Sequence, residues 1–160
     1  MKIQKGGVAT MPTKEQRSMQ AMQPQDAQVA ERMKKWERVL GPLLSEQRAQ
    51  QQMGVETVEE MVRLRAERQV LALPTYKVAL VYPAFQFAPE GQVRPEVALV
   101  LHAFESVLHD EEDLQCMAAS WLRGSQAYLG GQTPQRWGEI TGDVERVRDA
   151  AELTAARLEH

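Results

Sequence analysis

The chain contains a single cysteine, Cys116, so it cannot close an internal disulfide or build a cysteine-based zinc cluster. Cys116 falls on an apolar helical face and reads as a buried thiol, not a nucleophile. Histidine is nearly as scarce, with only His102, His109 and the terminal His160. None belongs to a Ser/His/Asp or Cys/His set with supporting motif context, so no catalytic residue, metal or cofactor is expected. His102, on an apolar helix, reads as a satisfied, partly buried histidine. Long apolar runs are also missing. No stretch approaches the roughly 18–20 residues that span a bilayer, and Met1-Lys2-Ile3-Gln4-Lys5-Gly6-Gly7 lacks the apolar segment of a secretory signal. The expectation is a cytoplasmic protein without membrane contact.

What is present suffices for a core: 160 residues, 43% of them hydrophobic. The net charge of −3 conceals an asymmetry, since residues 1–41 carry +4, residues 42–88 are neutral and residues 89–157 carry −6. A basic front and an acidic back permit a polyanion at one end and a basic protein at the other; solvated helix faces explain the same split.

Residues 1–24 show no sustained apolar period and read as a flexible basic arm, with Met11 an alternative start to Met1. From Gln25 to Leu40, Val29, Met33, Trp36 and Leu40 recur at helical spacing, and Gly41-Pro42 ends the helix. Ser45 is an N-cap and Gly54 a stop for a second helix; Thr57 or Glu56 opens a third through about Arg68, with Val58, Met61, Val62 and the Arg65 stem facing inward. Two short helices joined at Gly54-Val55 outline a helix-turn-helix. Val70–Leu73 and Tyr76–Tyr82, separated by Pro74-Thr75, read as a β-hairpin ended by Pro83, with Phe85 and Phe87 turned to the core around Gln86. Residues 25–88 thus form a helix-turn-helix-like domain with a small hairpin.

Glu90-Gly91 turns the chain into a helical second half. Pro95 starts a helix through Leu108, and Asp110-Glu111-Glu112-Asp113 fits a helix N-terminus better than a metal site. Leu114, Met117, Ala118, Trp121 and Leu122 continue the core. Gly130 and Gly131 permit left-handed backbone, while Thr133 caps and Pro134 begins a short helix that turns Trp137 and Ile140 inward. This is not a phosphate loop, for it has neither the Walker lysine nor a preceding strand. Gly142-Asp143 resets the chain into a last helix through about Arg157, and residues 158–160 read as a tag remnant.

The order of these features carries a resemblance. Tyr82-Pro83-Ala84-Phe85-Gln86-Phe87, then Trp121-Leu122-Arg123-Gly124, Leu129-Gly130-Gly131-Gln132-Thr133-Pro134 and Gly142-Asp143-Val144 resemble the antitoxins with an Xre/MbcA/ParS-type toxin-binding domain, over roughly Leu43 to Ala156. The resemblance implies a mainly α protein whose helix-turn-helix-like half precedes a helical toxin-binding bundle at residues 89–157. It implies a cognate toxin as partner, usually a NAD-consuming RES-domain enzyme, promoter DNA as a second partner, and a homo-oligomer or a hetero-oligomer with toxin. Carried over by position, toxin contact falls to Arg123, Gly130, Gly131, Thr133 and Pro134; the terminal helix, with Arg146, Arg148 and Arg157 on a polar side, is the better candidate, since the family commonly presents its C-terminal end to the toxin. The glycines, cap and proline also have a plain loop-shaping explanation. For DNA, the candidates are Arg63, Arg65, Arg68 and Lys77, together with the basic arm. Glu56, Glu59 and Glu60 speak against a recognition helix, because carboxylates at its N-terminus would meet phosphate. A regulator acting without a toxin is the alternative.

Overall fold

The computed structural model describes residues 24–75 and 79–159. The basic arm up to residue 23, Lys77 and the terminal His160 lie outside them. Among the described residues the protein is mainly helical, with seven α-helices and one small antiparallel sheet.

Helix α1 spans Pro24–Leu40 and stops at Gly41, whose left-handed φ of 81° lets its N–H reach the Glu37 carbonyl at 2.9 Å. Strand β1, Leu43–Ser45, leads directly into α2, Glu46–Met53, where the Ser45 hydroxyl accepts from the Arg48 N–H and Gly54 closes the helix in the left-handed region. Helix α3, Val58–Ala66, opens on Thr57, which accepts from Glu60 N–H at 3.1 Å. Strands β2, Leu73–Pro74, and β3, Leu80–Pro83, follow. The sheet order is β1-β3-β2, so the expected hairpin gains a third strand in which Leu44 faces Tyr82 across the pair. Three residues are too few for β1 to display an alternation.

Residues 70–72 were read as strand but only Leu73–Pro74 joins the ladder. The backbone of Leu71 is paired instead with a side chain. Gln86, fully buried, accepts from Leu71 N–H at 2.8 Å and donates to the Leu71 carbonyl at 2.8 Å and the Pro83 carbonyl at 3.1 Å. Ala72 N–H goes to the buried Gln115. Side-chain amides thus replace a strand partner.

A turn at Gly91 precedes the second half. Its φ is 103° and a Cβ there would lie 2.2 Å from the Gln52 carbonyl oxygen, so glycine alone lets this turn press on the end of α2. Helix α4, Pro95–Glu105, then α5, Glu111–Arg123, α6, Pro134–Thr141, and α7, Val144–Leu158, form the helical layer. Helix α7 continues through Leu158, the first residue of the expected tag remnant. The acidic run lies at the N-terminus of α5, where the sequence puts it, and Asp110 in addition caps the helix by accepting from Asp113 N–H. The most extensive helix pairing is α4 with α7. Val97, Val100, Leu101 and Phe104 of α4 are buried with Leu114, Ala118, Trp121 and Leu122 of α5 and Val147, Ala151 and Ala155 of α7. Leu40, Leu71 and Leu73 enter the same cluster from the first half. Phe104 and Trp121 meet edge to face at 5.9 Å, and Trp121 Nε1 donates to Thr154. A second cluster joins Ala49, Met61, Val70, Ala72, Tyr82 and Phe87.

Three inward assignments are corrected. Val58 and Val62 are 53% and 50% exposed, because α3 turns Met61 and Leu64 to the core. Ile140 is 57% exposed, since the short α6 anchors through Pro134 and the partly buried Trp137 alone. His102 lies on the exposed side of α4, with Nδ1 3.2 Å from Glu105.

Candidate functional site

The segment after α5 folds on itself before α6 begins. Gln126 N–H donates to the Gln132 carbonyl at 3.0 Å, and Gly131 N–H returns to the Gln126 carbonyl at 2.9 Å. Gly130 and Gly131 have φ of 66° and 83°, which is why both are glycine; a Cβ on either would meet nothing within 4 Å. Their exposed side is therefore open. Thr133 accepts from Arg136 N–H, and Pro134 occupies the first turn of α6, buried. Thr133 and Pro134 thus fix the direction of the chain, and the two glycines display its backbone.

This loop lies against one flank of α7. The Arg146 guanidinium stacks 3.8 Å from the centre of the Tyr128 ring, and its Nε donates to the Tyr128 carbonyl at 3.2 Å. Leu153 and Arg157 follow Arg146 at seven and eleven residues, which keeps all three on one side of the helix. Tyr128 and Leu153 are 40% and 43% exposed. Between loop and helix lies a cavity of about 310 Å³, lined by Gln126, Ala127, Tyr128, Leu153, Thr154 and Arg157.

The other two proposed arginines stand apart. Arg148 is about 160° around α7 from Arg146 by helical geometry and is paired with Glu145. Arg123 ends α5 with its guanidinium 5.1 Å from the Phe85 ring centre. Tyr128, Leu153 and Gln126 were missed in the sequence. The spacing Arg146–Leu153–Arg157 was legible there, but Tyr128 meets Arg146 only because the loop folds back.

The three arginines among the DNA candidates are each held by carboxylates. Arg63 is bonded to Glu60 on its own helix and to Glu67 just past its end, and these two bonds drive its pKa further above the ordinary arginine value. Arg65 donates to Glu46 at 2.7 Å and to the Tyr82 hydroxyl at 2.6 Å, while Tyr82 donates to Glu46 at 2.7 Å. Burial first, and the Glu46 bond second, push the Tyr82 hydroxyl up, so it stays a donor. Arg68, in a left-handed conformation with φ of 57°, spans Glu105 at 2.9 Å and Glu111 at 2.7 Å. Lys77 lies outside the described residues. Phosphate would have to compete with a carboxylate at every one of these three arginines.

Among the described residues no three His, Cys, Asp or Glu side chains are grouped to hold a metal. Cys116 is half-buried, and burial, followed by Glu112, raises its thiol pKa. None of the described helices is long and apolar enough to cross a membrane. Comparison with protein-family models, with curated proteins and with solved structures finds no match to this chain.

Proposed function

We propose that this protein is an antitoxin: a non-catalytic inhibitor that binds and occludes a NAD-consuming, RES-type toxin in the cytoplasm. The observation that carries the reading is the flank formed by Tyr128, Arg146, Leu153 and Arg157 beside the open Gly130–Gly131 backbone. Aromatic, aliphatic and guanidinium groups standing together where a loop meets a helix make the chemistry of a protein-binding hot spot. Glu145, Asp149 and Glu152, all exposed on the outer side of α7, add the negative field that would steer it to a basic nucleotide pocket. The resemblance of the loop and terminal-helix motifs to the Xre/MbcA/ParS antitoxins supplies the identity of the target.

The test is a stoichiometric titration of NAD loss catalysed by the product of the adjacent gene. Leu153→Asp and Arg157→Glu should each raise the amount needed for suppression at least about tenfold, a loss of about 1.4 kcal/mol or more. Arg148→Glu, on the far flank, should suppress like the parent protein. Equal suppression by all three would end the α7 assignment.

A second reading, a promoter-binding regulator, draws on the α2–α3 helix-turn-helix outline. The carboxylate pairing of Arg63, Arg65 and Arg68 favours the protein partner over DNA, and autoregulation of the operon would need other cations. A promoter-fragment shift by this protein alone, lost on replacing Arg63 and Arg65, would favour the regulator.

A further inference from the structure

On the side of the helical layer where α4 begins, a small cavity of about 170 Å³ separates that helix from α6 and is lined by Arg94, Glu96, Gln135, Gly138, Glu139 and Val144. Glu96 is 5% exposed. Among the described residues no side chain hydrogen-bonds to its carboxylate, which is favoured only by its own backbone N–H and by the charge of Arg94. An ionised carboxylate accepts about four hydrogen bonds, so most of its acceptor positions are unused. Arg94, the cation whose charge acts on it, is bonded elsewhere: its Nε donates to the Phe85 carbonyl at 3.2 Å and its Nη1 sits 3.6 Å from Glu139. Gln135 also donates to Glu139, at 3.3 Å. The cavity therefore has a buried carboxylate to which no side chain hydrogen-bonds, near an arginine already bonded elsewhere, and a second carboxylate, Glu139, that is 44% exposed.

The size of the cavity narrows the ligand. Drug-sized molecules need roughly 300–1,000 Å³, and two carboxylates with one amide are too few for a bare divalent ion of six or more oxygen ligands. A single planar or tetrahedral cation with several N–H donors fits both the volume and the acceptors. We propose that this cavity receives one basic side chain, an arginine or lysine presented by a protein partner, which hydrogen-bonds to Glu96 and Glu139. One such contact cannot hold a small molecule tightly, but it suits an anchor residue within a larger interface. Burial, which raises the Glu96 carboxyl above its ordinary range against the opposing pull of its own backbone N–H and Arg94, would be relieved as the cation enters.

The experiment uses the full chain, ¹⁵N-labelled, titrated with methylguanidinium chloride against sodium chloride at matched ionic strength. Saturable shifts are expected at the amides of Gln135, Gly138 and Val144, with binding at least about tenfold weaker in Glu96→Gln and in Glu139→Gln. The second variant changes an exposed side chain and keeps the test intact if the buried substitution perturbs folding. No saturable shift, or binding by both variants as tight as by the parent protein, overturns the cation site. A blocked pentapeptide with arginine centred among glycines should bind more tightly than methylguanidinium, and its uncharged citrulline counterpart should not bind. If the arginine peptide binds no more tightly, the cavity serves a free cation and the protein-borne assignment fails. Suppression of NAD loss reports on the α7 flank and these amide shifts report on the α4–α6 cavity, so either conclusion can fail alone.

Discussion

Gln86 does for the backbone of Leu71 what a neighbouring strand does elsewhere, accepting from its N–H and donating to its carbonyl at 2.8 Å each in a fully buried site. Replacing it by leucine would orphan both groups where no water reaches them, at about 1–3 kcal/mol for each. A Gln86→Leu protein should therefore show a markedly lower urea midpoint, while Gln86→Glu, which keeps an acceptor but buries a charge, should fare no better. An unchanged midpoint for the leucine variant would show that Leu71 finds another partner. Nothing in Tyr82-Pro83-Ala84-Phe85-Gln86-Phe87 marked the glutamine as the buried member, because a polar residue between two aromatics reads as the outward position of an alternation. The 3₁₀ turn at Ala84–Gln86 breaks that alternation and rotates the amide inward. By contrast, residues whose role is set by local backbone were readable: Ser45, Thr57 and Thr133 all cap the helices they precede.

Helix α3 shows where element-level reading stops. Its apolar positions 58, 61 and 62 satisfy a helical period, and nothing local says which side of that stripe meets the protein. Packing chose the side of Met61 and Leu64, against Tyr82 and Phe87, and left Val58 and Val62 in solvent. The consequence is measurable: Val62→Ser should change the stability by no more than about 0.5 kcal/mol, whereas Met61→Ala should cost roughly 2–5 kcal/mol. Similar losses for the two would mean that Val62 is covered. Helices α1, α4, α5 and α7, with longer and broader apolar faces, were placed within a few residues from sequence alone, whereas β1 was invisible because its pairing with β3 joins residues about forty positions apart. The α7 flank was half legible for the same reason. Arg146 and Arg157 belong to one helix, but their neighbour Tyr128 arrives through a loop.

Across the whole molecule, charge pairs tie the first half to the second: Arg68 to Glu105 and Glu111, and Arg32 to Glu112 at 3.3 Å. The packing of α7 is as widely shared, so deleting residues 144–157 would strip Val147, Ala150, Ala151 and Ala155 from the core and unfold the chain rather than test binding. Acid offers a gentler probe of the ties. The bond from Arg68 holds Glu105 below the ordinary carboxylate range; at Glu111 burial works upward, but the bonds from Arg68 and Gln115 outweigh it and the result is again lowered. Groups depressed in the folded state contribute stability above their unfolded value, about 4.3 for glutamate, and lose it as pH falls through the folded value. Glu96 runs the other way: its raised carboxyl favours the folded state most fully below the unfolded value, and that advantage fades as pH rises through the folded one. Between about pH 6 and pH 3, the urea midpoint should therefore fall on acidification, with Glu96 partly offsetting the loss. Arg68→Gln should flatten the profile, because Glu105 and Glu111 then return toward ordinary values. Glu96→Gln should steepen it, by removing the one carboxyl of the three that gains from acid. A profile unchanged by Arg68→Gln would mean that its two pairs, with carboxylates 39% and 58% exposed, are screened by solvent and do not hold the halves together.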